Sequence, residues 1–266
     1  MKAGSAGTGF AQARATMAAV ATACGLLAGA SAWAAHPLIT DDTGTQGTGH
    51  WQLEINTDQT RSRADGATSR AGQFNTTLTR GLTDDLDVAL TLPLLRLRPA
   101  GGPNASGVGD AAVQAKWRLL GPEGGEDGGS LALKPRLLLP TGDDGRGLGT
   151  GRAGASLNLL AAWQAGQVTA LGNLGASYNG NRAGDRTALW NASAAVLVTP
   201  LPALTLALDV GASRNPQHGT GATLRYGLLG AIWHVDDKTD LDLGWRRNLG
   251  GGQTASTWGV GLTLRW

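Results

Sequence analysis

The feature that most constrains this chain is two-residue alternation sustained over unusually long runs. From Leu86, LDVALTLPLLRL sets Leu86, Val88, Leu90, Leu92 and Leu94 on one side, against Asp87, Ala89 and Thr91. From Leu204, LTLALDVG sets Leu204, Leu206, Leu208 and Val210 against Thr205 and Asp209. The last ten residues, TWGVGLTLRW, set Trp258, Val260, Leu262, Leu264 and Trp266 against Gly259, Gly261, Thr263 and Arg265. A period of two is the signature of a strand with one apolar and one polar face. Marking every such run predicts about twelve strands: 50–60, 69–80, 85–98, 108–120, 130–140, 152–164, 167–179, 187–199, 203–213, 222–234, 239–248 and 256–266. Soluble strands typically run ~5–6 residues. These runs of roughly 9–14 suit a strand crossing a bilayer at a tilt. Pro93 and Pro135 fall inside two of them and cannot donate to a ladder.

The N-terminus reads as an export signal. Lys2 and Arg14 are the only charges before Asp41, and an apolar run spans Met17 to Ala30. A small-x-small site follows at Ala32-Trp33-Ala34, which places cleavage after Ala34. The run is short for a membrane helix, which needs ~20 residues. Cys24, the single cysteine, lies inside it, so no disulfide framework or cysteine zinc site is available downstream. The domain reading is 1–34 signal, 35–49 a periplasmic lead-in or plug, and 50–266 a barrel.

Removing the signal leaves 20 basic and 20 acidic residues, because it carries two of the 22 basic ones and no acid. A neutral mature chain without a basic stripe gives no footprint for nucleic acid. Glycine is abundant, 42 residues, but follows no G-X-Y repeat. Four scattered histidines give no metal-pair spacing and no cofactor motif stands out.

The connections alternate in length. GLTD, AG, PLP and VDDK are tight, whereas RSRADGAT, AGGPNASG, TGDDGRGLGTG, NGNRAGD and NPQHGTG are longer and polar. Short inner turns and longer outer loops belong to bacterial outer-membrane barrels. GPEGGEDGG at 121–129 departs from that rule. A soluble sandwich shows the same alternation with apolar residues inward. Export signal, strand length, even strand count and an aromatic last residue together favour an all-β, transmembrane antiparallel barrel of about twelve strands. The expected lumen set is Glu54, Asp87, Lys116, Arg118, Lys134, Arg136, Asp209, Arg225, Asp242, Arg246 and Arg265. The expected aromatic girdle is Trp117, Trp190, Trp245, Trp258 and Trp266.

Three stretches are more specific than a barrel requires. They are HPLITDDTGTQGTGHWQLE (His36–Glu54), GVGDAAVQAKWRLL (Gly107–Leu120) and LKPRLLLPTGDDGRGLGTGR (Leu133–Arg152). With the terminal strand, they resemble the outer-membrane transporter family named for the MetA-pathway of phenol degradation. The resemblance spans essentially the whole mature chain. It implies passage of aromatic or other hydrophobic compounds across the outer membrane, without naming a substrate.

The residues themselves leave several roles open. Lys116, Arg118, Lys134 and Arg136 would form a basic ladder facing Glu54, Asp87 and Asp242, as opposed charge rows do in selective pores; they could equally pair off and fill the lumen. Segment 36–49 lacks alternation, so Asp41 and Asp42 could meet inward arginines as a plug, or the segment could be a lead-in. Asp143 and Asp144 read as turn residues rather than calcium ligands. No GxSxG is present and no serine lies two residues from any histidine. A nucleophile and base on different strands would be needed for a lipid-modifying enzyme. With what the resemblance implies, the expected function is passive uptake of small hydrophobic or aromatic compounds by a non-enzymatic channel. A structural or adhesive barrel and a lipid-modifying enzyme are the alternatives. The expected partners are outer-membrane lipid, the small substrate, and the barrel-assembly machinery reading the strand that ends at Trp266.

Overall fold

A computed structural model describes residues 36–64, 66–121, 127–218, 221, 223–250 and 254–266. The expected signal, 1–34, lies outside the described residues, as does the middle of the 121–129 connection. Thirteen strand segments follow one another: β1 Trp51–Ala64, β2 Ala67–Thr83, β3 Leu86–Arg98, β4 Ala105–Val108, β5 Ala112–Leu120, β6 Gly128–Leu138 and β7 Gly154–Ala165. Then come β8 Val168–Tyr178, β9 Ala188–Leu201, β10 Leu204–Arg214, β11 Thr223–Asp236, β12 Thr239–Asn248 and β13 Thr254–Arg265. Both β4 and β5 pair with β3, so they are two halves of one wall strand. Every neighbour is antiparallel and β13 pairs with β1 from Gln52↔Arg265 to Arg63↔Thr254. The sheet thus closes as a twelve-stranded barrel, which removes every edge. At ~4.8 Å between strands and ~40° tilt, its backbone diameter is about 24 Å.

Burial inverts what a soluble protein shows. Leu90, Leu92 and Leu94 are 44–50% exposed, while Ala89 and Thr91 on either side of Leu90 are buried. On β10, Leu206, Leu208 and Val210 are exposed while Thr205 and Asp209 are buried. Apolar side chains therefore cover the outside and polar ones fill the lumen, the arrangement a bilayer demands. Along β3 the outward apolar positions run from Leu86 to Leu94. At ~3.4 Å per residue and ~40° tilt this climbs roughly 21 Å, near the ~25 Å apolar band of such barrels.

Outward tryptophans gather at the two ends of that band. Trp51, Trp117, Trp163, Trp233 and Trp266 lie at the short-turn end; Trp190, Trp245 and Trp258 lie toward the long-loop end. The sequence reading missed Trp51, Trp163 and Trp233, the last two 61% and 58% exposed. Trp245 and Trp258 face each other on β12 and β13, ring centres 6.2 Å apart.

The structure departs from the sequence reading in two further places. RSRADGAT is not an outer loop: β1 and β2 stay paired to Ala64↔Ala67, with Gly66 in a left-handed turn. Arg225 is also not lumenal. Its neighbours Tyr226 and Leu228 point inward and are buried, while Arg225 is exposed on the outer wall with Leu229 and Trp233.

The prolines mark a thin place in the wall. The β5–β6 register omits Ala115–Lys116 and Lys134–Pro135. Across β5's other edge, Gly109–Ala111 separates β4 from β5 opposite Pro93, where the Gly109 N–H donates to the Pro93 carbonyl (2.9 Å).

Candidate functional site

Residues 36–49 run inside the barrel from its middle down to the short-turn end, and the lumen is built around them. The segment has no strand of its own, so its backbone groups must be satisfied by the wall. Asp209 on β10 does much of this. Its carboxylate accepts from the Ile39 N–H (2.7 Å), the Thr40 N–H (2.9 Å), the Thr40 hydroxyl (2.7 Å) and the Tyr226 hydroxyl (2.9 Å). Asp87 on β3 accepts from the Gln46 N–H at 3.0 and 3.1 Å. With its side-chain amide turned so that both atoms find partners, Asn173 on β8 brackets Asp41, donating to its carbonyl (3.0 Å) and accepting from its N–H (2.6 Å). At the mouth, the Thr48 N–H and hydroxyl both donate to Asp84 (3.1 and 2.6 Å).

Charge fixes the middle of the segment. Asp41 is 1% exposed and lies between two wall lysines. Lys116 on β5 donates to it at 2.9 Å and to Asp42 at 3.1 Å, and Lys134 on β6 donates to its other oxygen. Burial alone would raise the Asp41 carboxyl, but the adjacent Lys116 and Lys134 hold it below the usual carboxylate range. Glu54 on the β1 wall is coupled electrostatically to the same lysines. The sequence reading sets a plug meeting inward arginines beside a simple lead-in; here the carboxylates of the segment meet wall lysines.

The head of the segment sits in a glycine-floored recess. Gly230, Gly244 and Gly259 are register neighbours on β11, β12 and β13. A Cβ on Gly244 would stand 2.5 Å from the Pro37 ring, and one on Gly230 2.7 Å from it. His36, just before Pro37, bonds Asp242 and lies 3.7 Å from Asp58. Burial alone would lower the imidazole, but these two carboxylates prevail and push it up to about 9. Leu38 packs on Leu171, Ala195, Ala207, Tyr226 and Leu228. This explains why the inner faces of β8–β11 carry apolar side chains.

Two expected outcomes follow. Gly244→Ala forces Pro37 to move and costs the docked state about 1–3 kcal/mol, as overpacking does; Gly172→Ala, with open space around it, leaves docking unchanged. Limited proteolysis of the N-terminal segment in both variants checks this. The second concerns pH. The folded imidazole titrates above the ordinary 6.5, so its contribution is full below that value and is lost as pH rises through about 9. Segment release measured between pH 7 and 10 shows this step in the parent chain and lacks it in His36→Gln.

The remaining candidates are spread around the lumen. Arg118 is buried near the short-turn end and pairs with Asp85 at 2.8 Å. Arg136 lies inward between Gln114 and Ser156, and Arg246 between Leu228 and Thr257. Arg265 pairs with Asp240 at 2.8 Å and donates to Gln52 at 3.0 Å. That same Asp240 accepts from His234 Nδ1 (2.7 Å), whose Nε2 meets the Thr205 hydroxyl (3.0 Å). The sequence search for a serine beside a histidine could not find this cross-strand threonine. Thr205 is 5% exposed and also bonds Thr199 (2.9 Å), so the group is a closed polar knot.

The other two distinctive motifs interlock at the long-loop end. Asp110 accepts from the Gly142 N–H (2.9 Å), the Thr150 N–H (2.7 Å) and the Thr150 hydroxyl (2.7 Å). This folds the 139–153 loop inward, where Leu148, 2% exposed, packs on Ala71, Leu97 and Ala105 of the inner wall. Asp143 caps the 3-10 turn Asp144–Arg146, and Asp144 pairs with Arg182 at 3.3 Å.

The chain matches, over residues 37–266, the family described as the MetA-pathway of phenol degradation. The chain belongs to this family. The match begins at Pro37, so it includes the lumenal segment as well as the barrel. Among solved structures, the COG4313 outer membrane channel from Pseudomonas putida F1 is similar at 17% identity and a TM-score of 0.64, covering 85% of this chain and 98% of that one. The translocator domain of the autotransporter NalP from Neisseria meningitidis is similar at 16% identity and a TM-score of 0.56, covering 95% and 98%. The NanC porin follows at 6% identity and a TM-score of 0.54, covering 79% and 98%. At such identities the likeness is one of fold. No curated protein sequence matches the chain.

Proposed function

We propose that this protein is an outer-membrane channel for passive uptake of small hydrophobic or aromatic compounds, gated by its own residues 36–49. The observation that carries the reading is the family match, which spans both the barrel and the lumenal segment. The lumen chemistry supports it. The segment's apolar head rests on Leu171, Leu228 and Tyr226, and its polar middle on Lys116, Lys134 and Asp209. Displacing it bares a wall half apolar and half charged, suited to a small ring bearing a hydroxyl or carboxylate. Asp41 and Asp42 act as the latch. Glu54, Asp87, Lys116, Arg118, Lys134, Arg136, Asp242, Arg246 and Arg265 set the charge along the path. Export follows cleavage after Ala34, and β13, ending at Trp266, is the strand handed to the assembly machinery. The tryptophan girdles and outward leucines meet the lipid.

The thin wall at β4–β5 favours a second exit. Pairing lapses at Pro93 and again at Pro135, so an apolar molecule in the lumen meets weakened seams facing the bilayer.

The test is single-channel recording of the chain beginning at Ala35, refolded into a planar bilayer, with and without phenol or benzoate. Current steps blocked by the aromatic compound support the reading. Steps indifferent to it at millimolar concentration overturn the substrate class.

A further inference from the structure

We propose that the outer wall carries a binding site for the phosphate groups of a phosphorylated glycolipid in the outer leaflet, formed by Arg98, Arg70, Arg61 and Arg247. The inference rests on the barrel spanning an outer membrane with its long loops outward, and not on what crosses the lumen.

These arginines form one row across the sheet. Arg98 pairs in register with Arg70, and Arg70 with Arg61. Arg61 pairs with Ser256, and Ser256 with Arg247. Each arginine is exposed and shares the outward face with Leu94, Phe74, Trp258 or Trp245 of its own or a neighbouring strand. Directly opposed side chains on antiparallel strands have Cβ atoms about 4.5–5.5 Å apart, and like charges so placed repel. Here three arginines stand side by side. Among the described residues none of the four joins an ion pair, and no carboxylate occupies the outward positions around them. Arg63 and Arg96 flank the row on the same face. A folded wall that tolerates such crowding calls for an anionic partner outside the chain.

Height along the barrel says which partner. One outward step toward the bilayer, the register row Gln59–Trp258–Trp245 carries the aromatic pair. One step further, Leu94, Phe74, Val260 and Leu243 are apolar. Each step is two residues, about 7 Å along the strand. The row climbs around the wall with the strand tilt, but on its own strand each of Arg98, Arg70 and Arg247 stands beyond the apolar or aromatic positions toward the long-loop end, where lipid headgroups lie. The Trp245 indole N–H donates to Ser256 (2.8 Å), tying the aromatic level to the row. Guanidinium groups, with planar forks of donors, suit phosphate bidentately. The chain uses arginine at every charged position of this row although lysine serves inside the lumen. The fit is to two or more phosphates held on one amphiphile, whose acyl chains lie against Phe74 and Leu94 below.

The experiment uses the refolded chain from Ala35 in neutral detergent. It is mixed with bis-phosphorylated lipid A, with the same lipid dephosphorylated, or with inorganic phosphate. Lipid retained through gel filtration and the heat-unfolding midpoint are read. The expected result is retention of lipid A and a raised midpoint, with neither from the dephosphorylated lipid nor from inorganic phosphate. The variant Arg61→Gln/Arg70→Gln/Arg98→Gln/Arg247→Gln is expected to weaken retention by at least about tenfold, with an unchanged or higher lipid-free midpoint because repulsion is relieved. Arg70→Gln alone, flanked by an arginine on either side, gives a partial loss and serves should the quadruple variant not fold. Equal retention by parent and variants, or equal binding of the dephosphorylated lipid, overturns the site. Equal stabilisation by inorganic phosphate overturns the assignment to a lipid.

Discussion

Replacing Asp41 by Asn should release the lumenal segment while leaving the barrel folded. Asp41 supplies the carboxylate between Lys116 and Lys134, and all three are largely buried. Removing one partner of a buried ion pair leaves an uncompensated charge and costs about 3–5 kcal/mol. Here the cost falls on docking, because the strands on either side keep their ladders. A penalty of that size shifts the docked-to-released ratio by roughly two to four orders of magnitude. The neighbouring carboxylate gives the contrast. Asp42 also touches Lys116, but its side chain is 47% exposed, so Asp42→Asn should change docking by under about 1 kcal/mol. Adding Lys134→Met to Asp41→Asn should recover part of the loss, since an apolar side chain there needs no counter-charge. Protease cleavage of the segment in the folded barrel, followed across these three variants, checks the ordering. Similar cleavage of Asp41→Asn and Asp42→Asn would contradict it.

The second large effect lies on the lipid face. Leu90 points out of β3 near the middle of the apolar band and is 44% exposed. Leu90→Arg sets a guanidinium against hydrocarbon and should cost about 2–4 kcal/mol of folding free energy in vesicles. Leu206→Arg on β10 should behave alike. Ala89→Arg, one residue from Leu90 but lumenal, should cost less, because its charge faces a polar wall. Urea unfolding in lipid vesicles measures all three. Equal costs at positions 89 and 90 would mean that the two faces are not what burial says.

Much of the barrel was legible because a bilayer imposes a strict code on each strand. On β3 from Leu86 to Leu94, and on β10 from Leu204 to Val210, the outward positions are all apolar while Asp87, Thr91, Thr205 and Asp209 face inward, so period two fixes both strand and facing there. Strand β11 broke the code. Tyr226, Leu228 and Ile232 face inward while Leu229 and Trp233 face outward, so apolar residues line both faces and period two cannot say where Arg225 points. The inward apolar residues make sense only once Leu38 is seen to pack on them, a contact between segments nearly two hundred residues apart in sequence. The same remoteness kept the plug ambiguous. Nothing in Asp41 or Asp42 says whether lysines wait on the wall or water does. The RSRADGAT run misled for another reason: its composition is that of a loop, but its arginines belong to strands that stay paired to Ala64↔Ala67. The glycines at 230 and 244 carried a readable signal in hindsight, since a glycine amid a strand pattern marks a close backbone approach.

In the proposed function, residues 36–49 close the lumen of a passive channel. The most direct test compares single-channel currents of the chain beginning at Ala35 with those of a chain lacking residues 36–47, both refolded into the same planar bilayer. Brief or small steps in the first and a large, steady conductance in the second are expected. Equal conductance in both would mean that the path runs past the segment rather than through the space it fills, and that the segment is no gate.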